Sequence, residues 1–411
     1  MKWLVFKVLA GSLLPLAAAG APWTFDTPLV VTTPPAEKTV FHHLDSSGRR
    51  NIAAAEGEVV VTWEDDSDGA PRIYFAHKAY EQAEFTAPLQ ISGTDEAFEP
   101  SVLALGGKRF AVSWEEAGDV WLRLLQIEGT PALGPPQRIS HGNGAQAGLV
   151  QDGNGVLVVW SEREERFGRI RTRRLGTDGL NVVQNDDCAV DAAPPVDEQL
   201  YPTGVELQGR LVVAWEDRRP KHTIIMAAIE DEPASCRFSA PVRISEKPPG
   251  RNLPYGAGHG VSRVALDRIS DQRLFAAWAD KRDFRQGYDV WGAFYQIGES
   301  EFEQNQKVQD DFGGLAKQHH AAVAGNANGL LVVAWDDERE GNPDVVLSWY
   351  EDGDWSDDWP LPGASGSGVQ SNPTVTLDRE GNLHVAWVER DDVDGATRLK
   401  YGFGRISRES L

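Results

Sequence analysis

The chain has 411 residues and a net charge of −22, with 62 acidic against 40 basic side chains. That balance argues against nucleic acid as a partner, since affinity there comes mainly from neutralising phosphates with Lys and Arg, and against an anionic membrane surface. Beyond the N-terminal segment no run approaches the ~18 apolar residues that span a bilayer, which argues against membrane insertion.

Residues 1–21 read as a signal peptide. Lys2 and Lys7 precede the apolar stretch Val8 to Ala19, and Ala19-Gly20-Ala21 has the small-x-small form of a cleavage site. The expectation is an exported protein, secreted or periplasmic, whose residues 22–411 form one domain.

Seven tryptophans then share one local context: VVVTWEDD at Trp63, FAVSWEEA at Trp114, VLVVWSER at Trp160, LVVAWEDR at Trp215, LFAAWADK at Trp278, LVVAWDDE at Trp335 and LHVAWVER at Trp387. One apolar-Trp strand about every 50 residues is the mark of a propeller blade. The runs are short, β-branched and bounded by turn formers, drawn from 41 Gly and 24 Pro, so they read as strands.

Each unit divides into four strands. In the last copy three of them are NPTVTL, LHVAW and TRLKYGFG. The fourth, seen earlier as TAPLQIS (86–92), GPPQRIS (134–140) and APVRIS (240–245), has no counterpart after Tyr401. Asp26 to Thr32, reading DTPLVVT, supplies it from the other end of the chain. The fold expected is all-β: a seven-bladed β-propeller of four-stranded antiparallel blades, its last blade closed by the N-terminal strand. Closure of this kind removes exposed sheet edges.

Three connections are longer than the repeat needs: Thr33 to Ser47, Asp186 to Leu200 and Glu246 to His259. All are expected to join a fourth strand to the next first strand, on the face that carries the turns after the tryptophans. Loops clustered on one face of a rigid scaffold are where function usually sits. The turns carry Asp65, Arg219, Arg282, Arg339 and Arg390. Such a ring of charge could bind an anionic or polyhydroxylated ligand through bidentate contacts. Alternatively each Asp accepts turn N–H groups while Arg links adjacent blades.

Three histidines are further ligand-binding candidates: His43 in the first long connection, His259 among the glycines of YGAGHG, and His320 on an inner strand near the central channel. Glu64-x-Asp66-x-Asp68-Gly69 resembles the front of a calcium loop, although Phe75 at the twelfth position excludes an EF-hand. Calcium is thus a candidate ligand, and no cofactor is otherwise required. Cys188, expected in the connection before the fourth blade, and Cys236 form either one disulfide or two buried thiols.

Trp335, Asp337, Arg339, Gly341 and Asp344 make a W-x-D-x-R-x-G-x-x-D pattern, and Asp352 to Trp359 reads DGDWSDDW. With the turn LDREGNLHVAW at Leu377 to Trp387, they resemble repeats and a degraded Asp-box of the sialidase-like β-propeller superfamily. Catalytic sialidases are typically six-bladed, whereas seven units occur here. The resemblance implies three arginines converging on a substrate carboxylate, a Tyr–Glu nucleophile pair and an acidic proton donor. Arg50, in SSGRRNIAA, stands where the family carries R-I-P, which is itself absent. The acid would come from Glu64, Asp65, Asp66 or Asp68, and the nucleophile would be Tyr401 or Tyr255. Two functions are therefore expected: a non-catalytic binding or scaffold module for a glycan or protein ligand, or a sialidase-like glycoside hydrolase acting on acidic sugars.

Overall fold

The structure, a computed structural model, describes residues 20–33, 39–153, 155–219, 222–246, 260–282, 287–310, 314–391 and 395–407. Their regular structure is entirely β, arranged in seven antiparallel sheets that are the blades of a propeller. The sixth blade shows the plan. Gln318–Gly325 lies innermost, Leu331–Asp337 and Asp344–Glu351 follow, and the short pieces Asp354–Trp355 and Trp359–Pro360 form the outer edge.

Every residue of Leu331–Asp337 is buried. Blades pack on both faces of this strand, so its apolar run is continuous and does not alternate. The core divides accordingly into seven apolar clusters, each shared by two neighbouring blades. All seven repeat tryptophans are fully buried within these clusters.

The ring is closed as the sequence indicates. Leu29–Thr32 pairs with Thr397–Ile406, with Leu29 opposite Tyr401 and Val30 opposite Lys400. Trp23–Phe25 pairs further along the same strand. Val31, Trp63 and Tyr401 then share the cluster that joins the last blade to the first.

Two features of the inner strands shape the axis. In blades two to seven the first strand carries a bulge, with register breaks at Phe98/Ser101, Ala145/Gly148, Leu200/Thr203, Ser262/Ala265, His319/Ala322 and Ser371/Thr374. Within each break one non-glycine residue is left-handed: Glu99, Gln146, Tyr201, Arg263, His320 and Asn372, with φ between 49° and 61°. Strain of this kind clusters at functional sites.

Blade one departs from the plan. Its inner strand is split into His42–His43 and Ile52–Ala55, both paired with Glu58–Asp65, and the residues between them, 44–51, cross the axis as a plug. Ser46 Oγ donates to the carbonyls of Pro373 (2.6 Å) and His320 (3.1 Å), and Asn51 Nδ2 donates to that of Pro100 (2.9 Å). Asn372 Nδ2 donates to the Leu44 carbonyl at 3.0 Å. Gly48 packs so closely on blades four and five that a Cβ would lie 2.5 Å from the Val264 carbonyl oxygen.

Cys188 belongs to a strand, contrary to the expected connection. Asn181–Ala189 is the fourth strand of blade three; it is mostly exposed, and its stretch from Gln184 to Asp187 is polar. Cys188 and Cys236 form a disulfide that ties blade three to blade four, with Cα atoms 5.7 Å apart. Residues 1–19, Tyr255 and His259 lie outside the described residues.

Candidate functional site at the propeller axis

The bulge residues converge on the axis. Aligned by strand register, Arg49 of the plug takes in blade one the place that Glu99 takes in blade two: Ile52 faces Val61 as Val102 faces Val112. The resulting ring is Arg49, Glu99, Gln146, Tyr201, Arg263, His320 and Asn372, one residue per blade. A second ring comes from the residue after each repeat tryptophan, and it includes Glu64, Glu115, Glu216 and Asp336. Most of these side chains are partly exposed, so they line an open recess and not a sealed core.

The two rings are bonded to one another. Glu64 accepts the Glu99 N–H (3.4 Å), Glu115 that of Gln146 (2.5 Å) and Glu216 that of Arg263 (2.7 Å). Each carboxylate thus satisfies a donor that the bulge has removed from its ladder. Arg49 is 1% exposed and pairs with Asp45 and Glu99, both at 3.0 Å. Its Nη2 is buried and meets no hydrogen-bond acceptor, the kind of orphaned group that calls for a functional explanation. Arg263 pairs with Asp45 at 3.2 Å and lies 3.6 Å over the Tyr201 ring, with Arg49 at 5.1 Å from the same ring. His320 Nδ1 lies 2.7 Å from Asp336.

Proton affinities follow from this crowding. Burial, helped by neighbouring carboxylates, pushes Glu64 up to about 7 and Glu115 up to about 7. Burial also raises Glu99 against the pull of Arg49, and Glu99 is hydrogen-bonded to Glu115. Glu216 is raised by burial as well. Burial opposes the charged form of His320, but the hydrogen bond and charge of Asp336 outweigh it and the imidazole is held above its usual range. Groups displaced in this way, together in a recess, mark a candidate active site.

Of the residues singled out in the sequence, Glu64 and His320 belong to the recess, and His43 lies beside it, close enough for His320 and Arg263 to bear on its charge. Arg50 does not belong. It points the other way along the axis, pairing with Asp267 at 2.9 Å in a cavity of ≈ 290 Å³ at the opposite mouth. Neighbouring side chains in an extended segment leave on opposite sides, so Arg49 takes the axial place. Tyr401 is no axial nucleophile either, being 1% exposed between the last and first blades and bonded to His384 at 2.7 Å.

Three of the four turn arginines are engaged by the carboxylates of their own turns. Asp65, Asp217, Asp280 and Asp337 each accept the indole N–H of the tryptophan two residues before, at 2.7 to 3.1 Å. Arg219, Arg282 and Arg339 fold back on these carboxylates and reach on to Asp191, Asn305 and Asp358. Arg390 ends the strand Leu383–Arg390 opposite Thr397. The calcium-like trio does not converge. Glu64 faces the axis, Asp66 accepts the Phe41 N–H (3.1 Å) and Asp68 the Tyr74 hydroxyl (2.6 Å). Among the described residues no three His, Cys, Asp or Glu side chains are grouped to hold a metal ion.

Sequence reasoning missed Arg49, Asp45, Glu99, Glu115, Tyr201, Glu216, Arg263 and Asp336. The available signal was a column, three residues before the inner-strand residue that pairs two places ahead of each tryptophan. There the repeat keeps its geometry and changes its chemistry.

A scan against protein-family models and a search of curated proteins both find no match. Among solved structures the chain is similar to the polysaccharide lyase Uly1, with a TM-score of 0.55 and 8% identity over 88% of this chain and 90% of that one. It is similar to the α-L-arabinofuranosidase Arb93A from Fusarium graminearum, with a TM-score of 0.50 and 10% identity over 93% and 99%. A prolyl endopeptidase matches with a TM-score of 0.50 and 11% identity over 85% of this chain and 45% of that one. At these identities the shared property is the fold, a β-propeller.

Proposed function

We propose that the chain is a carbohydrate-active propeller that takes a glycan into the axial recess and cleaves a glycosidic bond there. One observation carries this reading: Glu64, Glu99 and Glu115, from the first two blades, are bonded together beside Arg49, and burial raises all three. A glycosidic oxygen needs a proton as its bond breaks, and a carboxyl group that titrates near 7 still holds one at neutral pH. A second carboxylate must assist water or attack the sugar. Glu216 and Asp336 offer it from blades four and six. Arg263, the more exposed of the two arginines, would meet the carboxylate of an acidic sugar. The lyase and arabinofuranosidase on the same fold lend support.

A non-catalytic glycan-binding module is the second reading. It is favoured by the oxygens that Glu64, Glu115 and Glu216 each give to a bulge N–H. Export, to the periplasm or beyond, belongs to the same proposal and rests on residues 1–21 and on the disulfide.

The test is a panel of sialosides, arabinofuranosides and uronic-acid polysaccharides. Product is followed both as new reducing ends and as the ultraviolet absorbance of an unsaturated sugar, which separates hydrolysis from elimination. Turnover that E64Q or E115Q removes supports catalysis. Saturable binding without turnover supports the module. Neither, across the panel, removes the glycan reading.

A further inference from the structure

Tyr201 is the blade-four member of the axial ring, on a strained bulge with φ at 50°. Its N–H is held by Gln146 Oε1 at 2.8 Å, while Arg263 and Arg49 lie over its ring. Long arginine side chains lose much rotamer freedom when held, so two of them keep one arrangement only if something fixes them. Glu99 holds Arg49 from one side, and one carboxylate, that of Asp45, meets both. Asp45 Oδ2 lies 3.0 Å from Arg49 Nε, and Asp45 Oδ1 lies 3.2 Å from Arg263 Nη1.

Asp45 is itself immobilised. It is 5% exposed, and its N–H donates to Asn51 Oδ1 at 3.1 Å. Asn51 is fully buried and tied to two blades: its side chain donates to the Pro100 carbonyl, and its N–H to Thr374 Oγ1 at 3.1 Å. A path of bonds therefore runs from blades two and seven, through the plug, to the two guanidiniums. Asp45 is covered by the groups it holds and engages only one terminal nitrogen of Arg263.

We propose that Asp45 is the positioning residue of the axial site, holding Arg49 and Arg263 against Tyr201 without touching the ligand. The proposal rests on the recess being the glycan site. It extends that reading to the segment 44–51, whose part is to bring this carboxylate to the axis.

The experiment uses Asp45→Asn, which keeps the shape and removes the charge. On a glycan that the wild type turns over, kcat should fall about tenfold or more, as expected when a site group is displaced by around 1 Å, with a smaller change in KM. A second readout needs no substrate. Modification by an arginine-selective dicarbonyl, mapped by mass spectrometry, should quicken at Arg263 in D45N while Arg219 and Arg339 keep wild-type rates. If the wild type acts on no glycan, the functional proposal fails, and the modification rates still decide the role of Asp45. Folded D45N with wild-type activity and unchanged Arg263 reactivity would overturn the proposal. Should D45N not fold, Arg263→Lys makes the comparison, because it keeps the charge beside Asp45 but loses the planar group on Tyr201. The same fall is expected, and full activity in R263K would overturn the proposal equally.

Discussion

Arg49 and Arg50 differ by one position, and the fold sends them to opposite ends of the axis. Arg49 is buried between Asp45 and Glu99, whereas Arg50 anchors the plug to blade five through Asp267 and the Leu266 carbonyl. Removing one partner from a buried ionic group costs about 3–5 kcal/mol, so Arg49→Ala should lower the melting temperature markedly and abolish ligand binding. Arg50→Ala, measured side by side, should keep binding. Glu64 makes a pH prediction whose sign is fixed. Its folded pKa, about 7, lies above the ordinary 4.5, so the folded state holds more protons between those values. This group's contribution to stability therefore declines as pH rises through that window. Glu64→Gln should match the wild type in melting temperature below about 4.5 and exceed it above about 7. A wild-type advantage at the alkaline end would contradict the assignment. Activity that depends on the protonated carboxyl should fall as pH rises through about 7.

Among the elements, the second strands were plain in the sequence because burial on both faces demands a continuous apolar run, ended by a tryptophan whose indole, in blades one to six, donates to the Asp or Glu two residues on. The same repetition concealed the site. The charged turns recur because they serve each blade, and they drew the functional candidates. The bulge positions share a backbone conformation but not a residue type, so Gln146, Tyr201 and His320 do not read as one column until the register is known. The end of the outer strand Asn181–Ala189, from Asp186 on, falls in the expected connection because its sequence is polar and mostly unburied. The plug was hidden for another reason: Ser46 to Asn51 reads as loop, and only contacts with distant blades give it a place. Gly48→Ala tests that place. Overpacking costs about 1–3 kcal/mol, so the variant should melt lower and bind ligand more weakly. Unchanged binding would mean that the plug can shift without disturbing the recess.

At the scale of the whole molecule, the axial site and the closure of the ring depend on each other. The strand Leu29–Thr32 completes blade seven, and the chain that leaves it returns at Val40, whose carbonyl accepts the Thr397 N–H at 3.0 Å, before entering the axis. Deleting residues 22–33 removes the strand partner of Thr397–Ile406 and leaves an open sheet edge. That variant should lose its single cooperative melting transition and its ligand binding together, and self-associate, as followed by calorimetry and light scattering. The most direct measurement of the central claim is a crystal structure of the wild-type protein with a bound oligosaccharide. Density for a sugar over Tyr201 and Arg263, within reach of Glu64, Glu115 or His320, is the predicted result. A sugar bound only at the outer strands or at the Arg50 mouth, with the axial recess left to solvent, would contradict the account.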